Sequence, residues 1–238
     1  NLTSIVVEEG NPVYDSRDNC NAIIKTSANE LIVGCKTTVI PSTVTRIGNT
    51  AFYGNYYLYS ITIPEGVTSI GHAAFNECWK LSSVKLPNSL TEIGNDVFHD
   101  DSGITSITIP SGVTFIGDRV FFDCNGMISV TSLAADPIDI SKSKEVFAAA
   151  CSIYENATLK VPFGSKAKYQ AAGGWKDFVN IVELGDVNGD NMISITDAVA
   201  ILDFLSDKEP ENFNVAVADM DGDGEITVSD AILILNMI

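Results

Sequence analysis

Two twelve-residue stretches near the end of this 238-residue sequence, DVNGDNMISITD at 186–197 and DMDGDGEITVSD at 219–230, gather oxygen-bearing side chains at matched intervals, and their first aspartates are 33 residues apart. A hard cation such as Ca²⁺ takes about six to eight oxygens, and a tight loop supplies them from side chains at positions 1, 3, 5 and 12 with a backbone carbonyl at position 7. In the first stretch those places hold Asp186, Asn188, Asp190 and Asp197 with the Met192 carbonyl; in the second they hold Asp219, Asp221, Asp223 and Asp230 with the Glu225 carbonyl. Two bound calcium ions are the expectation. Ser194 and Thr227 occupy position 9, usually a water-mediated place. Gly224 stands at position 6, where the loop needs a positive φ, whereas Asn191 holds that place in the first loop and adopts the left-handed region at a modest penalty. The first loop is therefore expected to bind slightly more weakly. Acid clusters also occur as plain solvated surface, but two copies with matched acids at position 12, each followed by an apolar segment, favour metal. Without it the crowded carboxylates repel and the segment is expected to be poorly ordered.

The segments that must hold these loops differ on their two sides. ITDAVAILDFL and VSDAILILNMI follow them with helical apolar spacing, while FVNIVEL and FNVAVA before them are short and rich in Val or Ile. A loop feeding a helix, with no helix leading in, is not a full EF-hand. This duplication resembles a dockerin, the calcium-dependent module that docks onto cohesin domains, over residues 185–238. The resemblance implies a cohesin-type partner contacted through loop positions 10 and 11, often a Ser-Thr pair in the best-known type. Those positions here are Ile195-Thr196 and Val228-Ser229, so half of that pattern is missing. A purely intramolecular, structural use of the module is the alternative.

Upstream, a period of 23 residues governs the chain. Blocks beginning IPSTVTRIG, IPEGVTSIG, LPNSLTEIG and IPSGVTFIG place Pro at 41, 64, 87 and 110 and Gly at 48, 71, 94 and 117. Columns of Thr45, Thr68, Thr91 and Thr114, of Ile47, Ile70, Ile93 and Ile116, of Phe52, Phe75, Phe98 and Phe121, and of Ser60, Ser83, Ser106 and Ser129 keep the same spacing. A fixed period of this size marks a solenoid, because one unit cannot bury its apolar face alone. Alternating stretches such as Ser106-Ile107-Thr108-Ile109 imply one strand per turn. Pro at the strand end halts the ladder, and Gly after Ile is expected to turn with positive φ. These units resemble the BspA-like leucine-rich repeats of secreted and surface proteins of anaerobic bacteria, over roughly residues 1–184. The fold expected is a β-rich leucine-rich-repeat solenoid with a parallel sheet, followed by a small α-helical dockerin-like domain at 185–238. By the same resemblance, LTSIVVEEGNPVYDS is a strand, CNAIIKTSANELIVGC a hairpin insertion with Leu31–Val33 as its return strand, and VPFGSKAKYQAAGGWKDFVNIVEL the closing unit.

Composition narrows the function. With 31 acids against 14 bases the net charge is −17, which disfavours nucleic acid and anionic membrane surfaces, and no apolar run is long enough to span a bilayer. The chain opens at Asn1 with no basic leader, so a secretory signal peptide is absent from it and Asn1 reads as a cut end. Of five cysteines, Cys78, Cys124 and Cys151 follow the repeat phenylalanine, in a column shared with Asn55 and Asp101 where a small residue bonds backbone inside the turn. They read as inert buried thiols, Cys78 and Cys124 being too far apart to pair. Cys20 and Cys35 bracket the hairpin, and whether they form a disulfide is open. His72 and His99 fall in no metal or nucleophile motif, and no GxSxG, HExxH, Walker-type or GxGxxG loop occurs. Tyr53, Tyr56, Tyr57, Tyr59 and Trp79, with Phe122, put aromatic rings on variable columns, where they serve recognition or fill space under a neighbouring turn. The reading is a secreted or surface-attached, non-enzymatic binding protein whose solenoid takes a protein or glycan. The rival is an accessory carbohydrate-binding part of a glycan-degrading complex.

Overall fold

β-Branched residues alternating with Ser and Thr build the strands that stack this chain coil on coil. The computed structural model describes residues 2–147, 153–190 and 192–238. Its strands are β1 Tyr14–Asp15, β2 Ala22–Lys25, β3 Glu30–Gly34, β4 Arg46–Ile47, β5 Ser60–Thr62, β6 Ser69–Ile70, β7 Ser83–Lys85, β8 Glu92–Ile93, β9 Ser106–Ile109, β10 Phe115–Ile116 and β11 Ser129–Ser132. There follow helix α1 Ile153–Asn156, β12 Thr158–Val161, α2 Lys166–Ala171, β13 Asn180–Glu183 and the helices α3 Ile195–Leu205 and α4 Val228–Leu235.

Each repeat contributes two strands rather than the one expected. The serine-led strands form one face, β5 with β7 and then β9 with β11, which β12 and β13 extend in parallel order, and the short pieces before the glycine column join the N-terminal strands in a second sheet, β1-β2-β3-β4-β6-β8-β10. The second ladder exists because Ile47, Ile70, Ile93 and Ile116 point into the core while the next residue's N–H reaches the preceding coil: Gly71 donates to Ile47 O at 2.8 Å and Gly94 to Ile70 O at 2.9 Å. The glycines serve close approach, not positive φ. A Cβ on Gly94 would lie 2.9 Å from Ile70 O, and one on Gly117 2.3 Å from Asn95 Oδ1, so the coils meet where no side chain fits. Left-handed backbone falls instead at Thr50, Ala73, Asp96 and Arg119, two residues on.

At the N-terminal end the hairpin of β2 and β3 forms antiparallel, as expected, and β3 passes its register to β4 in parallel. The expected first strand does not form over residues 2–13. There the Val7 N–H bonds the Ser16 hydroxyl at 2.9 Å instead of a ladder partner, and pairing begins only at β1. Cys20 and Cys35 are free thiols, because each sulfur turns to a separate carbonyl, Cys20 to Ala22 O at 3.8 Å and Cys35 to Asn21 O at 3.4 Å.

Inside the coils Phe52, Phe75, Phe98, Phe121 and Phe147 stack in one file, their ring centroids 5.0–5.6 Å apart and nearly parallel. Phe147 continues the column 26 residues after Phe121, out of the repeat's period. The column behind it holds Cys78 and Cys124 as buried thiols bonded to Phe52 O at 3.2 Å and Phe98 O at 2.9 Å. Burial holds both thiols well above the ordinary cysteine range. Cys151 lies outside the described residues. After β12 the closing unit adds β13 to the sheet and seals the core with Trp175, whose indole N–H donates to Ile138 O at 2.7 Å, and Tyr169, whose hydroxyl donates to Ala134 O at 2.7 Å.

A second core gathers Val187, Ala198, Ala200, Ile201, Val217, Ala218, Ala231 and Ile234 between α3 and α4. It comes with no linker, since β13 ends at Glu183 and the Gly185 N–H already donates to Val217 O at 2.9 Å. Among the described residues no helix is long and apolar enough to cross a membrane.

Candidate metal loops and aromatic face

The two acidic loops fold to the same hydrogen-bond plan. In the first, the Asp190 N–H donates to Asn188 Oδ1 at 2.9 Å and to Asp186 Oδ1 at 3.0 Å, and the Met192 N–H to Asp190 Oδ1 at 2.9 Å. In the second, Asp223 N–H donates to Asp221 Oδ1 at 3.1 Å and Glu225 N–H to Asp223 Oδ1 at 2.9 Å, while Gly222 and Gly224 N–H groups reach Asp219 at 2.7 and 3.0 Å. These turns fold the side-chain oxygens back over the loop, and one carboxylate oxygen each from Asp219, Asp221 and Asp223 lies within 4.8 Å of the others. Glycines at loop position 4, Gly189 and Gly222, both adopt positive φ, as does Gly224 at position 6. The position-4 pair was missed in the sequence, although its match across a spacing of 33 was visible. Asn191 lies outside the described residues.

The two position-12 acids are fully buried and tie each loop to its helix. Asp197 accepts from Val187 N–H at 3.0 Å and, in a capping box, from Ser194 N–H at 3.0 Å; Asp230 accepts from Met220 N–H at 2.7 Å and Thr227 N–H at 2.8 Å. A carboxylate at the first turn of a helix also faces the positive end of its dipole. Ser194 and Thr227, at loop position 9, are also the N-caps of α3 and α4. Burial raises the pKa of Asp219 and Asp221 above the usual carboxylate range, against the lowering effect of their N–H partners. An all-oxygen donor set around a fold of backbone turns, with carboxylates disfavoured as bare charges, fits a hard divalent cation.

Each of the two helices opens on an exposed pair of residues. Ile195 and Val228 are exposed, 60% and 55%, as are Thr196 and Ser229, and the Thr196 hydroxyl is held by Asn188 Nδ2 at 3.0 Å. On its other side the second loop rests against the solenoid: the Thr108 hydroxyl of β9 donates to Gly222 O at 2.7 Å. Around that contact runs a cleft of about 920 Å³ lined by Lys85, Ser106, Thr108, Lys160, Asp219 and Asp221. Lys160 is held below its ordinary pKa by burial, with the Asp219 charge acting the other way.

The aromatic residues stand outside the core. Tyr53, Tyr56, Tyr57, Tyr59 and Trp79 are 40–56% exposed. They are held in place: Tyr56 and Trp79 rings are 4.7 Å apart, Tyr53 and Tyr56 hydroxyls donate to Glu77 at 2.8 and 3.4 Å, and Lys80 Nζ lies 4.8 Å from the Tyr57 ring centre. Phe122 is half-buried against His99, centroids 5.2 Å apart.

A family model described as BspA type leucine rich repeat region matches residues 23–149 in 6 copies, and one described as Dockerin type I domain matches residues 184–238. No curated protein sequence matches. Among solved structures, pneumococcal vaccine antigen PcpA superposes with a TM-score of 0.59 at 21% identity, over 76% of this chain and 50% of that one. The chain therefore spans half the length of that structure, and the likeness is one of fold. Leucine-rich repeat proteins from Eubacterium ventriosum (TM-score 0.46, 19% identity, 68% of this chain and 36% of that) and Bacteroides capillosus (0.41, 24%, 53% and 96%) also match.

Proposed function

The chain belongs to the BspA type leucine rich repeat family and ends in a dockerin type I domain, and from that footing we propose that it is a non-catalytic binding protein, secreted or held at the cell surface. Both parts are binding modules, and dockerins of this type bind calcium and cohesins. The division falls between residues 184 and 185. The module binds two Ca²⁺ ions, one through Asp186, Asn188, Asp190, Asp197 and the Met192 carbonyl, the other through Asp219, Asp221, Asp223, Asp230 and the Glu225 carbonyl. Bound there, the metal cross-links the loop oxygens and neutralises their charge. The chain's own part is to aim the loops: Asp197 and Asp230 fix each loop's start to its helix cap, and the helices then present Ile195-Thr196 and Val228-Ser229 to a cohesin-type domain.

The observation that carries this reading is the repetition, at a spacing of 33, of one hydrogen-bond plan from Val187 and Met220 through Asp197 and Asp230, each copy ending in an exposed apolar–hydroxyl pair. Purified type I cohesin domains titrated against the full chain with Ca²⁺ or with chelator test it. Capture that requires Ca²⁺ and is lost on Ile195→Asp with Val228→Asp supports the reading; no capture by any cohesin, or capture indifferent to calcium, defeats it. The Thr108 to Gly222 contact favours a second reading, in which the module also serves as a structural end piece of the solenoid. On the solenoid, the aromatic face of Tyr53, Tyr56, Tyr57, Tyr59 and Trp79 takes a protein or a glycan.

A further inference from the structure

One backbone column carries acids on three successive coils. Gly54, Glu77, Asp100 and Asp123 are 23 residues apart and all left-handed, and each N–H up to Asp100 bonds the neighbouring coil, Glu77 to His99 O at 3.0 Å and Asp100 to Phe122 O at 2.9 Å. Like charges stacked across adjacent strands are destabilising unless something answers them. The tyrosine hydroxyls answer Glu77. No lysine or arginine answers the lower pair among the described residues: Arg119, four residues before Asp123, is committed to Asp96 by two bonds of 2.7 and 3.0 Å. Beside Asp100 and Asp123 stands His99, its Nε2 3.7 Å from Asp100 Oδ2.

We propose that His99, Asp100 and Asp123 form a binding site for Zn²⁺ or a similar first-row divalent cation, separate from the two calcium loops. One donor atom of each lies within 4.8 Å of the others, and all three residues are half-buried. Donors about 2.0–2.2 Å from a tetrahedral metal sit about 3.4 Å apart, so small side-chain rotations close the set and leave a position for water. An imidazole with two carboxylates suits zinc and its neighbours, whereas Ca²⁺ and Mg²⁺ take oxygen alone. The outer partners are also in place. The far nitrogen of the ring, Nδ1, lies 3.3 Å from Asn76 Nδ2 and 3.9 Å from Asp96 Oδ1, Asp96 being buried and fixed by Arg119; ligation through Nε2 needs Nδ1 protonated, and turning the Asn76 amide over presents its oxygen to that N–H. An oxygen acceptor behind an imidazole fixes its tautomer and raises its basicity as a ligand. Phe122 walls the other side.

The test is calorimetric titration of the full chain with Zn²⁺ in saturating Ca²⁺, which keeps the loops filled, with Co²⁺ as a spectroscopic stand-in. One Zn²⁺ per chain should bind, displacing Co²⁺ from a site with nitrogen ligation. His99→Gln and Asp123→Asn should each lower its affinity about tenfold or more, with metal-free melting unchanged, while His72→Gln leaves binding intact. Failure to bind Zn²⁺ in saturating calcium, or binding that neither His99→Gln nor Asp123→Asn weakens, overturns the proposal.

Discussion

The Cys78 N–H donates to Asp101 Oδ1 at 2.6 Å, one coil away, while Oδ2 of the same buried carboxyl has no partner among the described residues. Burial pushes the Asp101 pKa up to about 8, with the Cys78 bond opposing it. A carboxyl raised in the folded state favours folding most below its unfolded value near 4 and withdraws that advantage as pH climbs to about 8. Asn55 occupies the same column, so Asp101→Asn keeps the acceptor and removes the ionisation. It should raise the melting temperature at pH 8.5 by several degrees, about 2–4 °C per kcal/mol for a chain of this size, and by much less at pH 4.5. Scanning calorimetry at the two pH values checks it, and an equal shift at both would contradict the cause.

Gly94→Ala should destabilise by about 1–3 kcal/mol, since the added carbon meets Ile70 O at 2.9 Å and Gly71 C and His72 N at 3.0 Å, all backbone. Denaturant unfolding measures this, and a neutral result would show that the coils can spread.

Chelation should remove the helical far-ultraviolet signal of α3 and α4 while the solenoid's β signal persists, because the second core is small and the carboxylates of the second loop lie within 4.8 Å of one another. Asp221→Ala should bring the calcium count by calorimetry from two ions to one. A spectrum blind to chelator would refute the coupling of metal to fold.

Trp79→Ala should leave thermal stability within about 0.5 kcal/mol, since the side chain is 52% exposed and touches Tyr56 rather than the core, yet weaken capture by the solenoid. Glycan arrays and protein pull-downs, run on the same variant, separate the two ligand classes.

The repeat columns made the solenoid legible because each serves every coil at once: four phenylalanines at one spacing leave little choice but a stack. The acidic loops were legible because the oxygen-bearing side chains of each sit within twelve residues. Features set between coils were not. The second ladder hides in two-residue pieces such as β4 and β6, too short for a period-2 pattern, and a glycine in the sequence does not say whether it answers close approach, as this column does, or positive φ. Phe147 fell out of register by three residues although it stacks 5.2 Å from Phe121. His99 looked isolated because its acidic neighbours come partly from the next coil, and the seat of Gly222 on Thr108 joins residues 114 positions apart, beyond any local reading.

The two-residue passage from β13 to the first acidic loop bears on how this molecule would carry load. A tether fixed to the helices would pull on the last rung of the sheet with no slack to absorb it, in a direction set by the seat on β9. The coils would then be held out at a set angle, and tension would be shared along their inter-strand bonds.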